Sequence, residues 1–526
     1  MITTSILLDN MTFQYEGALK PVFENVTLHL DASWRLGIIG RNGRGKTTLL
    51  NILAKHYSPK SGVLKLPEHV TMFPLTVEHK NALTLKVIRE LIGPIDQIEA
   101  EMEYLTGCTD EKSLIRYGDL MELYEYYQGY NLDTLIKKEL YHLNMSPEIL
   151  SRPYQSLSGG ERTKVQIAAM FLKPQHYMLI DEPTNHLDML GRAELSDYLS
   201  HKSGFALVSH DQAFIDDCCD HILAIGKNEI TIEKGNYSSW DENRRQFESF
   251  ELSKKEKLTK ETKQLEKAAL IARGYSVNKE KQKSGAMDKG FVGARSARLM
   301  KRAKSLEKRR SDKLDEARNL LSGYEKVRRL ELRQTDIRAQ NYLKVHDMSF
   351  SYGTKVILNK MSFEINKGDR IWLRGENGAG KSTLLDILNG QITTREGYIH
   401  KHSELRISRA YQDMPVLKGL VSDYLEQYKT ELTGFVRMLD YFNMDVAYLD
   451  RRIETLSEGE RKKLDIARAL SSDAPLFIWD EPLNYMDYHF RIQLEEAVLK
   501  YEPTIIFVEH DRTFAHKIAT KMIDIR

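Results

Sequence analysis

Apolar and polar positions along this chain fall into a short series of rhythms, and the series occurs twice. Near the start, a strand-like stretch ends on Phe13-Gln14-Tyr15, and a second of the same kind ends on Phe350-Ser351-Tyr352. Each is followed by an apolar run, a glycine-rich segment and an amphipathic pattern: LGIIGRNGRGKTTLLNIL at 36–53 and IWLRGENGAGKSTLLDIL at 371–388. That order predicts strand, tight loop and helix. LSGGE (157–161) and LSEGE (456–460) come next. Apolar strands ending on acidic pairs follow, in MLIDEPTNHLD (178–188) and FIWDEPLNYMD (477–487), and then VSHD (208–211) and VEHD (508–511). The repeated order predicts one α/β domain built twice, over 1–240 and 341–526.

Between the repeats the rhythm changes. Residues 241–333 are rich in Lys, Glu, Leu, Arg and Ala, and apolar positions recur at seven or eight: Phe250, Leu258, Leu265, then Leu299, Leu306, Leu314, Leu321. Such stripes predict two long helices in an antiparallel hairpin, each ~50 Å long for ~33 residues. The tip is expected at about 273–297, where Gly274, Gly285, Gly290 and Gly293 break the pattern. The repeats also differ in one spacing: 82 positions separate Leu75 from Leu157, but 44 separate Gln412 from Leu456. The first repeat therefore carries an insertion, placed at about 95–135, whose pattern reads as two short helices.

Composition narrows the class. The chain has 526 residues, 41% hydrophobic and 29% charged, and no apolar run approaches the ~20 residues that span a bilayer. Met1 to Asn10 lacks the basic start of a secretory signal. The three cysteines, Cys108, Cys218 and Cys219, fit neither a disulfide framework nor a metal site. These features point to a soluble, cytoplasmic protein. The net charge is only +2, yet Asp241 to Leu330 holds 26 Lys/Arg against 14 Asp/Glu, a surplus of +12 that leaves −10 for the rest. A polyanionic partner for the middle segment accounts for that asymmetry.

The motifs specify phosphate chemistry. Gly40-x4-Gly45-Lys46-Thr47 and Gly375-x4-Gly380-Lys381-Ser382 have the spacing of phosphate-binding loops. Their glycines, Gly43 and Gly378 included, let backbone N–H groups close on phosphates while the helix N-terminus adds its dipole. Asn42, Asn377, Thr48 and Thr383 complete the two loops. Lysine reaches β- and γ-oxygens, and the Thr47 or Ser382 hydroxyl ligates Mg²⁺. A lone match is also met in ordinary glycine-rich turns; two matches in register exclude that reading. Asp181 and Asp480 end apolar strands and put a carboxylate near Mg²⁺, while Glu182 and Glu481 are placed to polarise the attacking water. His210 and His510 follow in register as γ-phosphate sensors.

The LSGGE element, beside the acidic strand and far from the phosphate loop, resembles the signature of ABC ATPases. The resemblance implies an α/β fold of two P-loop nucleotide-binding domains, with ATP and Mg²⁺ as cofactors and ATP hydrolysis as the activity. It further implies head-to-tail pairing within one monomer, without an obligate protein subunit. The first site would pair the loop Gly40–Thr48 with Ser457, Glu458 and Gly459; the second would pair Gly375–Thr383 with Ser158, Gly159 and Gly160. Tyr15 and Tyr352 match the aromatic that stacks on adenine, and equally fit ordinary strand aromatics. Two cassettes, a charged helical linker and no transmembrane segment resemble the ABC-F class, as does Gly235-Asn236-Tyr237-Ser238 leading into the linker. The insertion resembles that class's arm. GRNGRGKTTLL, IDEPTNHLD, VGARSARLMKR and IWDEPLNYMD are most similar to the Lsa-type antibiotic-resistance proteins. The implied partner is the bacterial ribosome, 23S rRNA and tRNA, with binding at the tRNA exit site and the linker directed toward the peptidyl-transferase centre.

Two departures fall on the first site. Met72-Phe73-Pro74-Leu75 lacks the glutamine that Tyr411-Gln412-Asp413 supplies in the second repeat, where Gln412 is expected to touch Mg²⁺ or the water. Glu458 stands where a signature glycine is usual, adding a carboxylate near γ-phosphate, where like charges repel. The first site is therefore expected to hydrolyse more slowly and to act partly as an ATP clamp. In the linker, Arg273 to Arg310 holds thirteen Lys/Arg and three acids, interleaved with aromatic and apolar residues. Phosphate pairing and base stacking suit RNA; a solvated helical spacer is the alternative. Met287, Phe291, Val292 and Arg295 are the tip residues expected nearest a drug or nucleotide. Resistance by displacing lincosamides, pleuromutilins or streptogramin A leads; relief of stalled ribosomes is second. A transporter ATPase subunit would leave the basic hairpin without a role, and a DNA-repair ATPase would carry zinc cysteines or longer coiled coils.

Overall fold

The computed structural model describes residues 5–281, 297–313 and 330–525, apart from 19, 42, 186, 227–228, 299, 303, 333, 336, 377, 394–395, 417, 443 and 487. The chain divides into two compact units, one holding both repeats and one built on 238–326.

Each repeat is organised by a buried, mainly parallel sheet. In the first, the strand order is His69–Phe73, His176–Asp181, Phe205–Val208, Arg35–Gly40, His221–Ile225 and Ile230–Lys234. In the second it is Ile407–Ala410, Leu476–Asp480, Ile505–Val508, Arg370–Arg374 and Lys521–Asp524. The central strands are continuous apolar runs, as sheets covered on both faces require: all of Leu476–Asp480 and Ile505–Val508 is buried. Each repeat adds a three-stranded antiparallel sheet, centred on Ser5–Phe13 or Asn341–Tyr352; these two strands carry the chain toward Tyr15 and Tyr352.

Parallel pairing brings distant motifs to one edge. Asp480 and Leu373 are both in register with Val508, so Glu481, the loop from Gly375 and His510 leave the sheet side by side. In the first repeat Asp181 and Ile38 share Val208 in the same way, aligning Glu182, the loop from Gly40 and His210. This is the carboxyl edge at which open α/β sheets bind ligands.

The two signatures start helices, Gly159–Phe171 and Glu458–Ser471, through reciprocal capping boxes, Ser158 with Glu161 and Ser457 with Glu460. The insertion folds as Ile95–Leu105 and Glu111–Tyr126. Arg89 braces its base by donating to Asp96, Glu99 and Asp133 at 2.6, 2.5 and 2.9 Å.

In the other unit a helix runs from Tyr237 to Lys281. It passes through Gly274, where the glycine pattern predicted the tip to begin. One interior glycine costs a helix only ~1 kcal/mol, and the flanking Ala272, Lys279 and Glu280 favour helix. Residues 297–298, 300–302 and 304–313 return as a second helical stretch. Arg310 pairs with Glu266 at 3.0 Å and Lys313 with Glu261, so partner numbers rise on one side as they fall on the other. The hairpin is antiparallel. Met287, Phe291, Val292 and Arg295 lie outside the described residues. Among the described residues, no helix is long and apolar enough to cross a membrane.

Gly375 shows how tightly sheet and phosphate loop are joined, because a Cβ there would meet the Ile525 carbonyl oxygen at 2.6 Å. Gly375→Ala is expected to cost about 1–3 kcal/mol of stability and to weaken ATP binding at the second site. Unchanged ATP affinity by titration calorimetry would contradict this coupling.

Candidate active site

The second site is built on the loop joining strand Arg370–Arg374 to helix Lys381–Asn389. Gly378 and Gly380 adopt φ of 82° and 99°, a left-handed conformation that side-chain-bearing residues avoid. Lys381 is 8% exposed, with Nζ donating to the carbonyls of Gly375 and Glu376 at 2.8 Å each. Burial lowers its pKa, with Glu481 and Asp480 opposing. Asp480 is buried; burial raises its pKa, as does neighbouring Glu481, while Lys462 and a hydrogen bond with Ser382 oppose the rise. Glu481 has φ of 51°, the kind of local strain held at functional positions. His510 Nε2 lies 3.1 Å from one of its oxygens, and Gln412 Nε2 lies 3.4 Å from the other, which Asn484 also reaches. Burial works against its charge, but the hydrogen bond and charge of His510, together with the charges of Lys462 and Arg192, hold the carboxyl below its ordinary range.

These groups line a cavity of about 560 Å³ with contributions from both repeats. The second repeat supplies Tyr352, Ile357, Gly378, Gly380, Lys381, Ser382, Thr383, Gln412, Asp480, Glu481 and His510; the first supplies Gly159, Asn185, Leu187 and Arg192. Gly159 thus faces a phosphate loop some two hundred residues away, in the head-to-tail sense. Ser158 and Gly160 flank it without lining the cavity; the Ser158 hydroxyl is engaged by the Glu161 amide at 3.2 Å. Asn185, Leu187, Arg192, Ile357 and Asn484 were missed in the sequence. Asn185, Leu187 and Asn484 closely follow the acidic pairs, and that adjacency was the available signal; Arg192 and Ile357 lie outside it.

The first site repeats the plan with changed detail. Gly43 and Gly45 have φ of 79° and 91°, and Lys46 donates to Gly40 and Arg41 carbonyls at 2.8 and 3.4 Å. Tyr15 shares a 2.8 Å hydrogen bond with Thr48, and its ring stands edge-on to Phe13 and Tyr57. Asp181 is raised by burial, with a Thr47 hydrogen bond opposing. Glu182 has φ of 49°, but burial pushes its carboxyl up to about 8 despite Lys46. His210 Nε2 stands 3.4 Å from it, farther than His510 from Glu481. Leu75 takes the place of Gln412, and its amide donates to Gln166 at 2.9 Å. Glu458 accepts from Tyr485 of its own repeat at 3.2 Å, while Ser457 is engaged with Glu460 and Gly459 packs on Tyr485. Asn42 and Asn377 lie outside the described residues.

The Oδ1 atoms of Asp181 and Asp480 are buried without a hydrogen-bond partner. Each belongs to a carboxylate that also meets the hydroxyl of Thr47 or Ser382. Hard oxygen donors with unused acceptor capacity fit Mg²⁺.

Two phosphate loops facing such acidic strand ends define a tandem nucleotide-hydrolysing protein. The ABC transporter family profile matches residues 23–185 and 358–484. "ABC transporter F family member 5" of Arabidopsis thaliana is 26% identical over 549 residues, covering 100% of this chain and 75% of its own. The Escherichia coli K12 energy-dependent translational throttle protein EttA is 27% identical over 535 residues, covering 96% and 89%. Among solved structures, the RNase-L Inhibitor superposes with a TM-score of 0.56 at 20% identity, covering 98% and 87%. The archaeal ribosome recycling factor aABCE1 does so with 0.55 at 19%, again covering 98% and 87%; at these identities both show the fold alone. The chain belongs to the ABC transporter family and is an ATPase.

The contrast between Glu182 and Glu481 has a kinetic consequence. Glu481→Gln is expected to lower ATP turnover at least about fivefold more than Glu182→Gln. Equal losses in steady-state phosphate release would contradict it.

Proposed function

We propose that this chain is a cytoplasmic, ribosome-binding ATPase that protects the large subunit from antibiotics. In this reading, ATP held between the paired cassettes seats the protein at the tRNA exit site, and the linker reaches toward the peptidyl-transferase centre. The observation that carries it is the pairing of a shared nucleotide cavity with a linker of charge surplus +12. Lys and Arg at that density neutralise RNA phosphates and give salt-dependent affinity. In the first cassette Thr47 and Asp181 would hold Mg²⁺, and in the second Ser382, Gln412 and Asp480; the ion supplies charge neutralisation at the phosphates. Lys46 and Lys381 bind β- and γ-oxygens, and Gly159 with its flanking Ser158 and Gly160 closes the second site. Ser457, Glu458 and Gly459 close the first. Glu481 accepts a proton from the attacking water, and His510 holds Glu481 in place. Glu182 and His210 perform the same tasks less effectively, so the first site serves partly as a clamp.

A second reading, a translation factor that relieves stalled ribosomes, is favoured by the likeness to EttA, whose name describes a translational throttle. Both readings share the ribosome and ATP. With Glu182→Gln and Glu481→Gln combined, the protein is expected to co-sediment with bacterial ribosomes in ATP and to be released by raised salt. Failure to co-sediment would overturn both readings. Expression in a drug-sensitive bacterium is expected to raise the inhibitory concentrations of lincomycin, tiamulin and virginiamycin M. Unchanged drug sensitivity with ribosome binding intact would leave the translation-factor reading in its place.

A further inference from the structure

Behind the second cavity lies a lysine that none of the motifs predicts. Lys462, on the helix Glu458–Ser471, is 2% exposed. Burying an ammonium is costly unless its donors are used, and it has three to satisfy. All three find backbone carbonyls: Tyr411 at 2.5 Å, Asp480 at 2.8 Å and Gln412 at 3.2 Å. These carbonyls belong to the two segments that present the site's chemistry. Gln412 reaches Glu481 at 3.4 Å, and the Asp480 carbonyl belongs to the peptide that links Asp480 to Glu481. Three residues along the same helix face, Asp465 is wholly buried and accepts the Tyr411 amide at 2.7 Å. Tyr424 and Arg468, at 2.5 and 2.7 Å, hold that carboxylate in turn. One helix therefore grips Tyr411 by both its carbonyl and its amide, and grips the acidic strand with the same lysine.

The first repeat has no such link. Thr163 stands at the position of Lys462, and its hydroxyl returns to its own helix at the Gly159 carbonyl, 3.1 Å away. Gln166 stands at the position of Asp465, accepting from the Leu75 amide and donating to Tyr154. A purely space-filling role would be met more cheaply by an apolar side chain of the same length. A lysine whose three acceptors all lie on the two catalytic segments points elsewhere.

We infer that Lys462 is a positioning residue for ATP hydrolysis at the second site, fixing Gln412 and the Asp480–Glu481 peptide against one helix. The inference rests on the roles proposed above for Gln412, Asp480 and Glu481, and is independent of the ribosome. Misplacement of reacting groups by a fraction of an ångström to 1 Å is enough to slow catalysis by one to two orders of magnitude.

The test uses the full chain in two backgrounds. With Glu182→Gln, which leaves the second site to report, Lys462→Met is expected to lower kcat about tenfold while the KM for ATP stays within about twofold. With Glu481→Gln, which leaves the first site to report, the same change is expected to leave turnover within about twofold. Lys462→Gln, which keeps a donor on a shorter stem, is expected to lose less than Lys462→Met, and it carries the same comparison should the methionine variant not fold. An equal or larger loss in the Glu481→Gln background, a loss appearing only in KM, or no loss in either background overturns the inference. Turnover surviving undiminished when Glu182→Gln and Glu481→Gln are combined would instead overturn the catalytic assignments.

Discussion

The molecule is governed by a conflict of charge. Each cassette buries an acidic pair at the end of an apolar strand, and hydrolysis requires the polyphosphate of ATP to sit beside it. Carboxylates and phosphates at such separations repel strongly where water is excluded. The sheet edge is therefore surrounded by cationic and donor groups: Lys381 folded over its own loop, His510 on Glu481, Gln412 behind it, and Gly159 and Arg192 supplied by the other repeat. Pairing the cassettes is the way to complete that surround, since no single repeat lines the cavity alone. In the proposed reading, nucleotide is both the substrate and the link between the repeats.

The two sites resolve the conflict unequally. At the second, the hydrogen bond and charge of His510, with the charges of Lys462 and Arg192, hold the Glu481 carboxyl below its ordinary range in spite of burial. At the first, Leu75 has no side-chain amide to offer, His210 stands farther off, and burial carries Glu182 up to about 8. A general base is useful only when it is unprotonated. The difference is therefore one of chemistry more than of shape, since both phosphate loops share their φ pattern and their lysine geometry.

Much of this is legible in the sequence. The phosphate loops, acidic strand ends, signatures and histidines have fixed spacings, because each must leave a parallel sheet at the same edge. The capping boxes could be read directly from the Ser-x-x-Glu spacing in LSGGE and LSEGE. The Glu182–Glu481 contrast was partly visible, through the Leu75 and Glu458 departures, although Glu458 turned out to be engaged by Tyr485. Lys462 and Asp465 were not legible. In a helix reading EGERKKLDIARAL, lysine beside lysine suggests a solvated face, and only tertiary packing reveals which of the two is buried. Arg192 escaped for a related reason: its place at the second cavity depends on how the repeats pair. The end of the first linker helix was misjudged because one glycine weighs less than the helix-favouring residues around it.

The central claim is that the signature of the first repeat closes on nucleotide held by the second. It is tested most directly by hydrogen exchange at residues 157–161 in a Lys46→Ala variant, which leaves only the second phosphate loop able to bind ATP tightly. Protection of those amides when ATP is added is the result predicted. Exchange at 157–161 that is the same with and without ATP, under conditions where nucleotide is shown to be bound at Lys381, would contradict it.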